Sequence, residues 1–256
     1  SGLSHGTDVW LGNAQSLIEE GTVTLNEAIC CRDDIMIYLI KKGVPPNHAF
    51  KIMETVRKGK ALKDPAKWAE YVAMMKENKV PEWYIKSCEK IKYMFPKAHA
   101  AAYVTNAFRI AWFKVHEPKA YYTAFFTIRA DEFDSDVMCY GKEKVKNKMK
   151  EIDLQGNAAT TKDKNMYAIL ELVLEMYERG INFLPIDLYK SHSTKFQIED
   201  EGIRPPLNSV PGLGTVAAQG IETAKKDGKF MSIDDMKIRS KIGNSVVELL
   251  TKMGCL

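Results

Sequence analysis

The stretch Val210-Pro211-Gly212-Leu213-Gly214-Thr215 decides the fold of the last part of the chain. Gly212 and Gly214 carry no Cβ atom, so a phosphate can approach the backbone N–H groups at the start of the helix that follows. The helix dipole favours negative charge at the same end. The pattern is typical of a helix-hairpin-helix turn, and contacts of this kind bind the DNA backbone without reading its sequence.

A second, degenerate hairpin is predicted at Lys241-Ile242-Gly243-Asn244, before a segment whose apolar residues have helical spacing. The first hairpin is followed by the lysines Lys225, Lys226 and Lys229. The predicted DNA-backbone contacts are Gly212, Leu213, Gly214, Thr215, Lys225, Lys241 and Gly243. The alternative is that Pro-Gly-x-Gly only turns the chain between two helices. A nucleotide P-loop is not expected, because no G-x-x-x-x-G-K-[ST] string occurs.

The chain before this region is predicted to form a succession of helices with recognisable start and stop signals. Asp33 and Asp34, for example, open an apolar run that ends at Gly43. Near residues 195–204 the pattern changes to a short hairpin, which ends at Pro205-Pro206. We therefore predict a mainly α fold in three parts: a helical domain at 1–180, a small α+β connector with a β-hairpin at 181–206, and a tandem helix-hairpin-helix at 207–256.

The longest predicted helix runs from about Lys97 to His116. Its apolar residues recur at spacings of three and four, which predicts an amphipathic helix with one buried face. They are Ala98, Ala101, Ala102, Thr105, Phe108, Trp112 and Val115. His99, Tyr103 and Asn106 share another face. Aromatic rings beside a lysine and a helix start suit a nucleotide base and its phosphates, whereas the plainer alternative is a capped helix with a buried tyrosine.

Composition excludes several classes of protein. Hydrophobic residues make up 45% and charged residues 27% of the 256 residues, a balance that favours a folded chain over a disordered one. The 37 Lys and Arg exceed the 33 Asp and Glu by only 4, so attraction to nucleic acid depends on local basic clusters. Such clusters occur at Lys51–Lys63 and Lys86–Lys97, whereas the cluster at Lys142–Lys150 is interleaved with acid and is predicted to be a solvated helix face.

Other features bear on the environment of the chain. No window approaches the length of apolar sequence that a membrane span needs, so no membrane partner is expected. The five cysteines form no C-x-x-C pair, and we expect reduced thiols and no metal site. The chain begins at Ser1 without a methionine or a signal peptide, which predicts that it is cut from a longer protein.

Several longer strings closely resemble, in this order, the C-terminal part of the PolC-type alpha subunit of bacterial DNA polymerase III. They are Ser1–Leu11, Cys31–Met36, Ile52–Glu54 with Val56–Lys60, Lys90–Tyr103 and Pro211–Gly214. The string Tyr-Met-Phe-Pro-Lys-Ala-His-Ala-Ala-Ala-Tyr is specific, and the resemblance covers essentially the whole chain. Residues Lys63–Lys76 match poorly and are interpreted as an insertion or a variable loop. In that family this stretch is the fingers domain followed by a tandem helix-hairpin-helix region that binds duplex DNA.

The resemblance implies that the fingers close on an incoming deoxynucleoside triphosphate while the tail binds primer–template DNA. The positions implied near the triphosphate or template are Arg32, Arg57, Lys58, Lys60, Lys97 and His99, with Tyr93 and Phe95 near the nascent base pair. Their implied role is electrostatic, because positioning and charge stabilisation supply most of the catalysis of phosphoryl transfer.

The same resemblance implies what this chain does not carry. The catalytic carboxylates, which hold Mg²⁺, belong to a palm domain upstream of Ser1, so no catalytic residue or cofactor is expected here and the chain alone is expected to be inactive. The palm and the other domains of the parent polymerase are the implied partners, in the bacterial cytoplasm. Binding to the sliding clamp is not expected, because the chain ends at Cys255-Leu256, before the family's clamp-binding tail.

Alternatives remain at this point. Asp134-Ser135-Asp136 has the spacing of a metal-binding pair, but it is predicted to cap a helix or to lie at the surface. An autonomous, sequence-non-specific DNA-binding module is the alternative function. A helix-hairpin-helix DNA glycosylase is disfavoured, because it needs a catalytic aspartate in a helical domain just beyond the hairpin and little chain remains there.

Overall fold

The computed structural model describes residues 1–255; Leu256, part of the C-terminal end on which the clamp prediction rests, lies outside the described residues. Over this range the chain is helical with one small sheet, which confirms the mainly α prediction. The helices are α1 Gln15–Glu19, α2 Arg32–Lys41, α3 Pro46–Arg57, α4 Pro65–Glu77, α5 Glu82–Lys90, α6 Lys97–His116, α7 Pro118–Arg129, α8 Ser135–Met138, α9 Lys142–Gln155, α10 Thr161–Glu178, α11 Thr215–Ala224, α12 Ile233–Ser240 and α13 Asn244–Lys252. The strands are β1 Gln197–Glu199 and β2 Gly202–Arg204.

Several helices begin where a side chain satisfies their free N–H groups. At the start of α10, Thr160 and Asp163 form a reciprocal capping box. At the start of α8, Asp134 accepts hydrogen bonds from the amides of Asp136 and Val137, at 2.9 and 3.2 Å. This contact confirms that Asp134 is a helix cap.

The chain divides into two compact units by packing, and the first is Ser1–Arg109. Its core lies among α2, α3, α4 and α5 and includes the fully buried Ile35 and Ile52. Helix α4 adds Trp68, Tyr71 and Met75, whose spacing places them on one face. The interpretation of Lys63–Lys76 as a loop is therefore wrong, because most of it forms a helix with one face in the core. That it is an insertion stays a prediction.

The second unit begins at Ile110 and contains two cores. The larger lies among α7, α9 and α10 and includes Tyr122, Phe126 and Leu170. The smaller joins α11, α12 and α13 and consists mainly of the apolar residues around both predicted hairpins. The boundaries predicted at residues 180 and 206 divide this unit further and remain predictions.

The strands β1 and β2 pair antiparallel, with Ile198 opposite Ile203, which confirms the predicted β-hairpin. Arg204 is only 6% exposed at the end of β2. Its guanidinium donates to both carboxylate oxygens of Glu199 and to the carbonyl oxygen of Pro185, the latter at 2.5 Å. The buried arginine therefore ties the hairpin to the chain before it.

Helix α6 departs from its prediction although its bounds agree. None of its residues is buried, and none of the cores found in residues 1–255 includes a residue from it. Phe108 and Trp112 are 72% and 52% exposed. The predicted buried face is therefore wrong, because α6 runs from the first unit into the second and lies on the core of neither. The alternative of a buried tyrosine is also wrong, since Tyr103 is 58% exposed.

The remaining sequence predictions concern the surface and the thiols. The lysines of α9 form ion pairs, for example Lys146 with Glu178 and Lys148 with Glu151, which confirms a solvated helix face. All five cysteines are free, and burial raises the pKa of the Cys31 thiol to about 12. None of the helices in residues 1–255 has both the length and the apolar character that crossing a membrane requires.

Candidate nucleic-acid interface

The extended segment Lys92–Phe95, termed the central segment, joins three distant loops of the first unit through backbone hydrogen bonds. Its first two residues exchange hydrogen bonds with Thr7, at 3.1 and 2.9 Å. The Met94 amide donates to the carbonyl of Arg57 at 3.2 Å. The Phe95 carbonyl accepts from the amide of Arg32 at 3.1 Å. Residues that are far apart in sequence are therefore held around one short stretch of main chain.

Gly59 allows the loop after α3 to lie directly against the central segment. Its φ is +62°, and an added Cβ would lie 2.4 Å from the carbonyl oxygen of Lys92. A side chain at this position would collide with the backbone itself. The turn that carries Lys58 and Lys60 is thus fixed by main-chain packing.

The Glu54 carboxylate of α3 gathers three of the predicted cations. Arg57 donates to both of its oxygens, at 2.9 Å from Nη2 to Oε2, and the Lys58 Nζ lies 2.8 Å from Oε2. Arg32 approaches the same carboxylate, with Nη1 at 3.8 Å from Oε1. The hydrogen bonds from Arg57 first, and from Lys58 next, lower the pKa of Glu54 to about 2. One negative charge therefore holds three positive charges, which leaves a net positive surface.

The start of α6 carries an acidic cap that the sequence reasoning missed. The Lys97 amide donates to the Asp33 carboxylate at 2.6 Å, and the Lys97 Nζ lies 3.0 Å from Asp34 Oδ1. Burial opposes ionisation of Asp34, but hydrogen bonds from Lys97 and Cys31 outweigh it and lower its pKa. A phosphate at this helix start would have to compete with these carboxylates.

A group of four rings lies beside these charges and is termed the ring cluster: His5, Phe95, His99 and Tyr103. Phe95 stacks on His99 with 4.3 Å between ring centroids, and His99 meets Tyr103 at 4.6 Å. His5 lies edge-on to both His99 and Tyr103, at 5.0 and 5.2 Å. Tyr93 touches the cluster through Phe95 at 5.0 Å and is 43% exposed.

The structure brings most of the predicted fingers residues to one region of the first unit. The central segment links Arg32, Arg57, Tyr93 and Phe95 through hydrogen bonds, whereas Lys60 is exposed on the adjacent turn. Sequence reasoning missed Glu54, Asp33, Asp34 and His5 as members of the site. Glu54 has a local signal, since Arg57 and Lys58 follow it at the helical spacings of three and four.

Both predicted hairpins are present in the second unit. Helix α11 begins after Gly214 and α13 begins after Gly243, and neither has a side-chain cap. By contrast, the Ser232 hydroxyl accepts from the Asp235 amide at the start of α12. Among the described residues, the first N–H groups of α11 and α13 therefore have no side-chain partner and can donate hydrogen bonds to an anion.

The other predicted backbone-binding residues differ in their accessibility. Thr215 and Lys241 are exposed, and Lys241 adopts a left-handed conformation with φ of 56° at the end of α12. Leu213 is buried and its amide donates to Val210, so it has no free donor for a phosphate. The Lys225 Nζ donates to the carbonyl of Ser191 at 2.6 Å. Hydrogen bonds within the chain thus already occupy the Leu213 amide and the Lys225 ammonium group.

The residues present do not fit the Mg²⁺ ions that a polymerase palm binds. Within residues 1–255, no group of three or more His, Cys, Asp or Glu side chains is arranged to hold a metal ion. The carboxylates near the cations are bonded to lysine or arginine instead.

The fold is helical, and its C-terminal part carries a helix-hairpin-helix motif. Residues 180–256 match the helix-hairpin-helix motif family, and residues 1–79 match the finger domain of the bacterial DNA polymerase III alpha subunit. The chain is similar along its whole length to one segment of PolC-type DNA polymerase III proteins.

Curated relatives match the chain from end to end. It is 55% identical to the PolC-type DNA polymerase III of Clostridium perfringens over 256 residues, which are all of this chain and 17% of that protein. It is 54% identical to the corresponding protein of Bacillus subtilis, again over the whole chain and 18% of the relative. The chain therefore spans less than a fifth of the length of the relatives it matches.

Proposed function

We propose that the chain is the nucleotide-positioning and duplex-binding part of a replicative DNA polymerase. The first unit positions the incoming deoxynucleoside triphosphate, and the two hairpins of the second unit bind the backbone of primer–template DNA. Nucleotide incorporation requires a palm domain with its own carboxylates and Mg²⁺. As part of such a polymerase, the chain works in the bacterial cytoplasm.

The observation that carries the duplex-binding role is the pair of uncapped helices after Gly214 and Gly243. Each presents backbone N–H groups with favourable dipole charge to an anion. Two such sites in one small core suit a polymer that carries regularly spaced phosphates. Lys241 adds a positive charge beside the second hairpin.

The nucleotide-positioning role is supported by the cations around Glu54 and the ring cluster beside them. The negative charge of a triphosphate is compensated by Arg32, Arg57 and Lys58. A shared carboxylate, that of Glu54, already places these three side chains near one another. The neighbouring rings offer faces on which a base can stack. The role is one of binding and orientation, so the chain alone does not polymerise DNA.

The test of the duplex-binding role uses Gly214→Asp and Gly243→Asp. Gly214 has an ordinary φ of −67°, and an added Cβ would meet no atom within 4 Å, so the variant is expected to fold. Its carboxylate would repel the phosphate at the helix start. Gly212→Asp is less informative, because φ is +88° and a Cβ would lie 3.2 Å from Leu249.

Binding of the chain to duplex DNA is measured over a range of salt concentrations by fluorescence anisotropy. We expect each aspartate variant to weaken binding at least tenfold and to flatten the salt dependence, with an unchanged circular dichroism spectrum. Gln219→Glu, which adds the same charge farther along α11, is the matched control. Unchanged binding in both glycine variants would remove the duplex-binding role.

The alternative of an autonomous DNA-binding module makes a different prediction for the first unit. In that case the cations near Glu54 have no effect on nucleotide incorporation. The test replaces the matching segment of the Clostridium perfringens relative with this chain and then introduces Arg57→Ala. An increase in the KM for nucleotide supports the polymerase role, and an unchanged KM supports the alternative.

A further inference from the structure

His5 lies in the first unit, and its contacts with the ring cluster are unlike those of a residue held by polar bonds. Its ring lies edge-on to three other rings, with centroid distances of 5.0 Å to His99, 5.2 Å to Tyr103 and 6.1 Å to Phe95. Its Nδ1 is buried and has no hydrogen-bond partner among the described residues. An unpaired buried nitrogen is unfavourable, so the ring contacts, rather than the polar atoms, account for the position of His5.

The rings that His5 touches form a continuous column. Phe95 and His99 are parallel within 16°, and Tyr103 lies one helical turn beyond His99 with its ring tilted by 49° to it. Tyr103 is 58% exposed, so the column has an accessible end. His99 and Tyr103 belong to α6, whose residues are all unburied in this structure. No core surrounds these rings, so their contacts with one another hold them, and His5 contacts all three of the others.

The backbone keeps His5 in place beside the column. Thr7, two residues further along, is bonded to Tyr93 of the central segment at 2.9 Å. The same segment carries Phe95, the first ring of the column. The loop that carries His5 is thus held by main-chain hydrogen bonds to the central segment, which also carries Phe95.

We propose that His5 is a positioning residue for the incoming nucleotide, which acts by holding Phe95, His99 and Tyr103 in the orientation on which the base stacks. This inference rests on the proposed nucleotide-positioning function. His5 need not touch the nucleotide. Its effect is on the affinity for the nucleotide, because the column is a binding surface and carries none of the reacting atoms.

The test measures the kinetics of nucleotide incorporation by the Clostridium perfringens relative with this chain in place of its matching segment. His5→Ala removes the ring and is expected to raise the KM for deoxynucleotide about fivefold to tenfold, with kcat within about twofold. His5→Phe keeps the ring and removes the unpaired nitrogen. It is expected to restore the wild-type KM and to raise the melting temperature. His48→Ala, at a histidine whose Nδ1 pairs with the neighbouring Asn47 side chain, is the matched control.

Each result supports or overturns the proposal. A residue that only stabilises the fold would lower the melting temperature and kcat together and leave KM unchanged, which would refute a positioning role. If His5→Phe were as impaired as His5→Ala, the nitrogen and not the ring would be what matters, and the proposal would be wrong. Arg57→Ala separates this failure from that of the proposed function. A normal KM in Arg57→Ala refutes nucleotide positioning by the unit, whereas a raised KM with normal His5 variants refutes only the role of His5.

Discussion

The guanidinium of Arg57 donates to both carboxylate oxygens of Glu54, one turn earlier on α3. Lys58 and Arg32 also pair with this carboxylate, so Glu54 holds three cationic side chains near one another. Paired arginine and carboxylate groups of this kind bind with fixed geometry. A phosphate group that replaced the carboxylate would find the donors already oriented.

Glu54→Gln is expected to reduce stability in a pH-dependent way. The pKa of Glu54 lies at about 2, below the ordinary 4.5, so its stabilising charge is present above about pH 4.5 and is lost as the pH falls through 2. The free energy of unfolding of the wild type should therefore exceed that of the variant at pH 6 and converge with it near pH 2. Urea denaturation across this range measures the difference. Glu20→Gln, at an exposed position, is the control, and a difference that does not change with pH would contradict the assignment.

Lys225 and Lys226 are expected to behave differently although they are neighbours. Lys225 donates to the carbonyl oxygens of Ser191 and Leu188, and burial lowers its pKa. Lys225→Met leaves those oxygens unpaired and should cost about 1–3 kcal/mol of stability, with no change in the salt slope of DNA binding. Lys226 is exposed, and Lys226→Met should leave stability within about 0.5 kcal/mol. If Lys226 contacts a phosphate, the salt slope of DNA binding should fall by about 1 in Lys226→Met.

Denaturation curves and salt titrations of the two variants separate these outcomes. Equal loss of stability in both would contradict the internal role of Lys225.

Arg204→Lys is expected to destabilise the β-hairpin by about 1–3 kcal/mol, because lysine cannot reproduce the paired contact with Glu199 or keep the bond to Pro185. Thermal unfolding measures the effect. Lys195→Ala, an exposed change just before β1, is the control. A melting temperature for Arg204→Lys equal to that of the wild type would show that the hairpin does not depend on the buried guanidinium.

Replacing Phe108 and Trp112 with glutamine is expected to reduce self-association of the chain at high concentration. Both side chains are more than half exposed on α6, and exposed apolar patches promote association. Light scattering after size exclusion measures the change. Leu154→Gln, at an 89% exposed but separate position on α9, should have no effect. If self-association persists in the double variant, the surface responsible for it does not include Phe108 and Trp112.

The sequence predicts the helices well because their signals are local. Caps such as Thr160 and Asp163 lie three residues apart, and both helix-hairpin-helix turns follow from glycine spacing and the apolar pattern around it. The same signals do not reveal what a helix packs against. Helix α6 has an apolar pattern that favours burial, yet its burial depends on neighbours in space, and it lies on none of the cores found in residues 1–255.

The candidate site is only partly predictable for the same reason. The basic residues are identified from their clustering and from the family resemblance, and Glu54 is within reach of a helical-spacing rule. Asp33 meets the Lys97 amide across 64 positions of sequence, and His5 meets Tyr103 from even farther away. No local pattern encodes such contacts, since they arise only when the central segment gathers the loops.

The central segment has a consequence for motion. Its hydrogen bonds to Thr7, Arg32 and Arg57 all run between main-chain atoms, so no side chain of the loops takes part in them. If the segment shifts by a fraction of an ångström, the cations and the ring column shift with it as one body rather than rearranging separately.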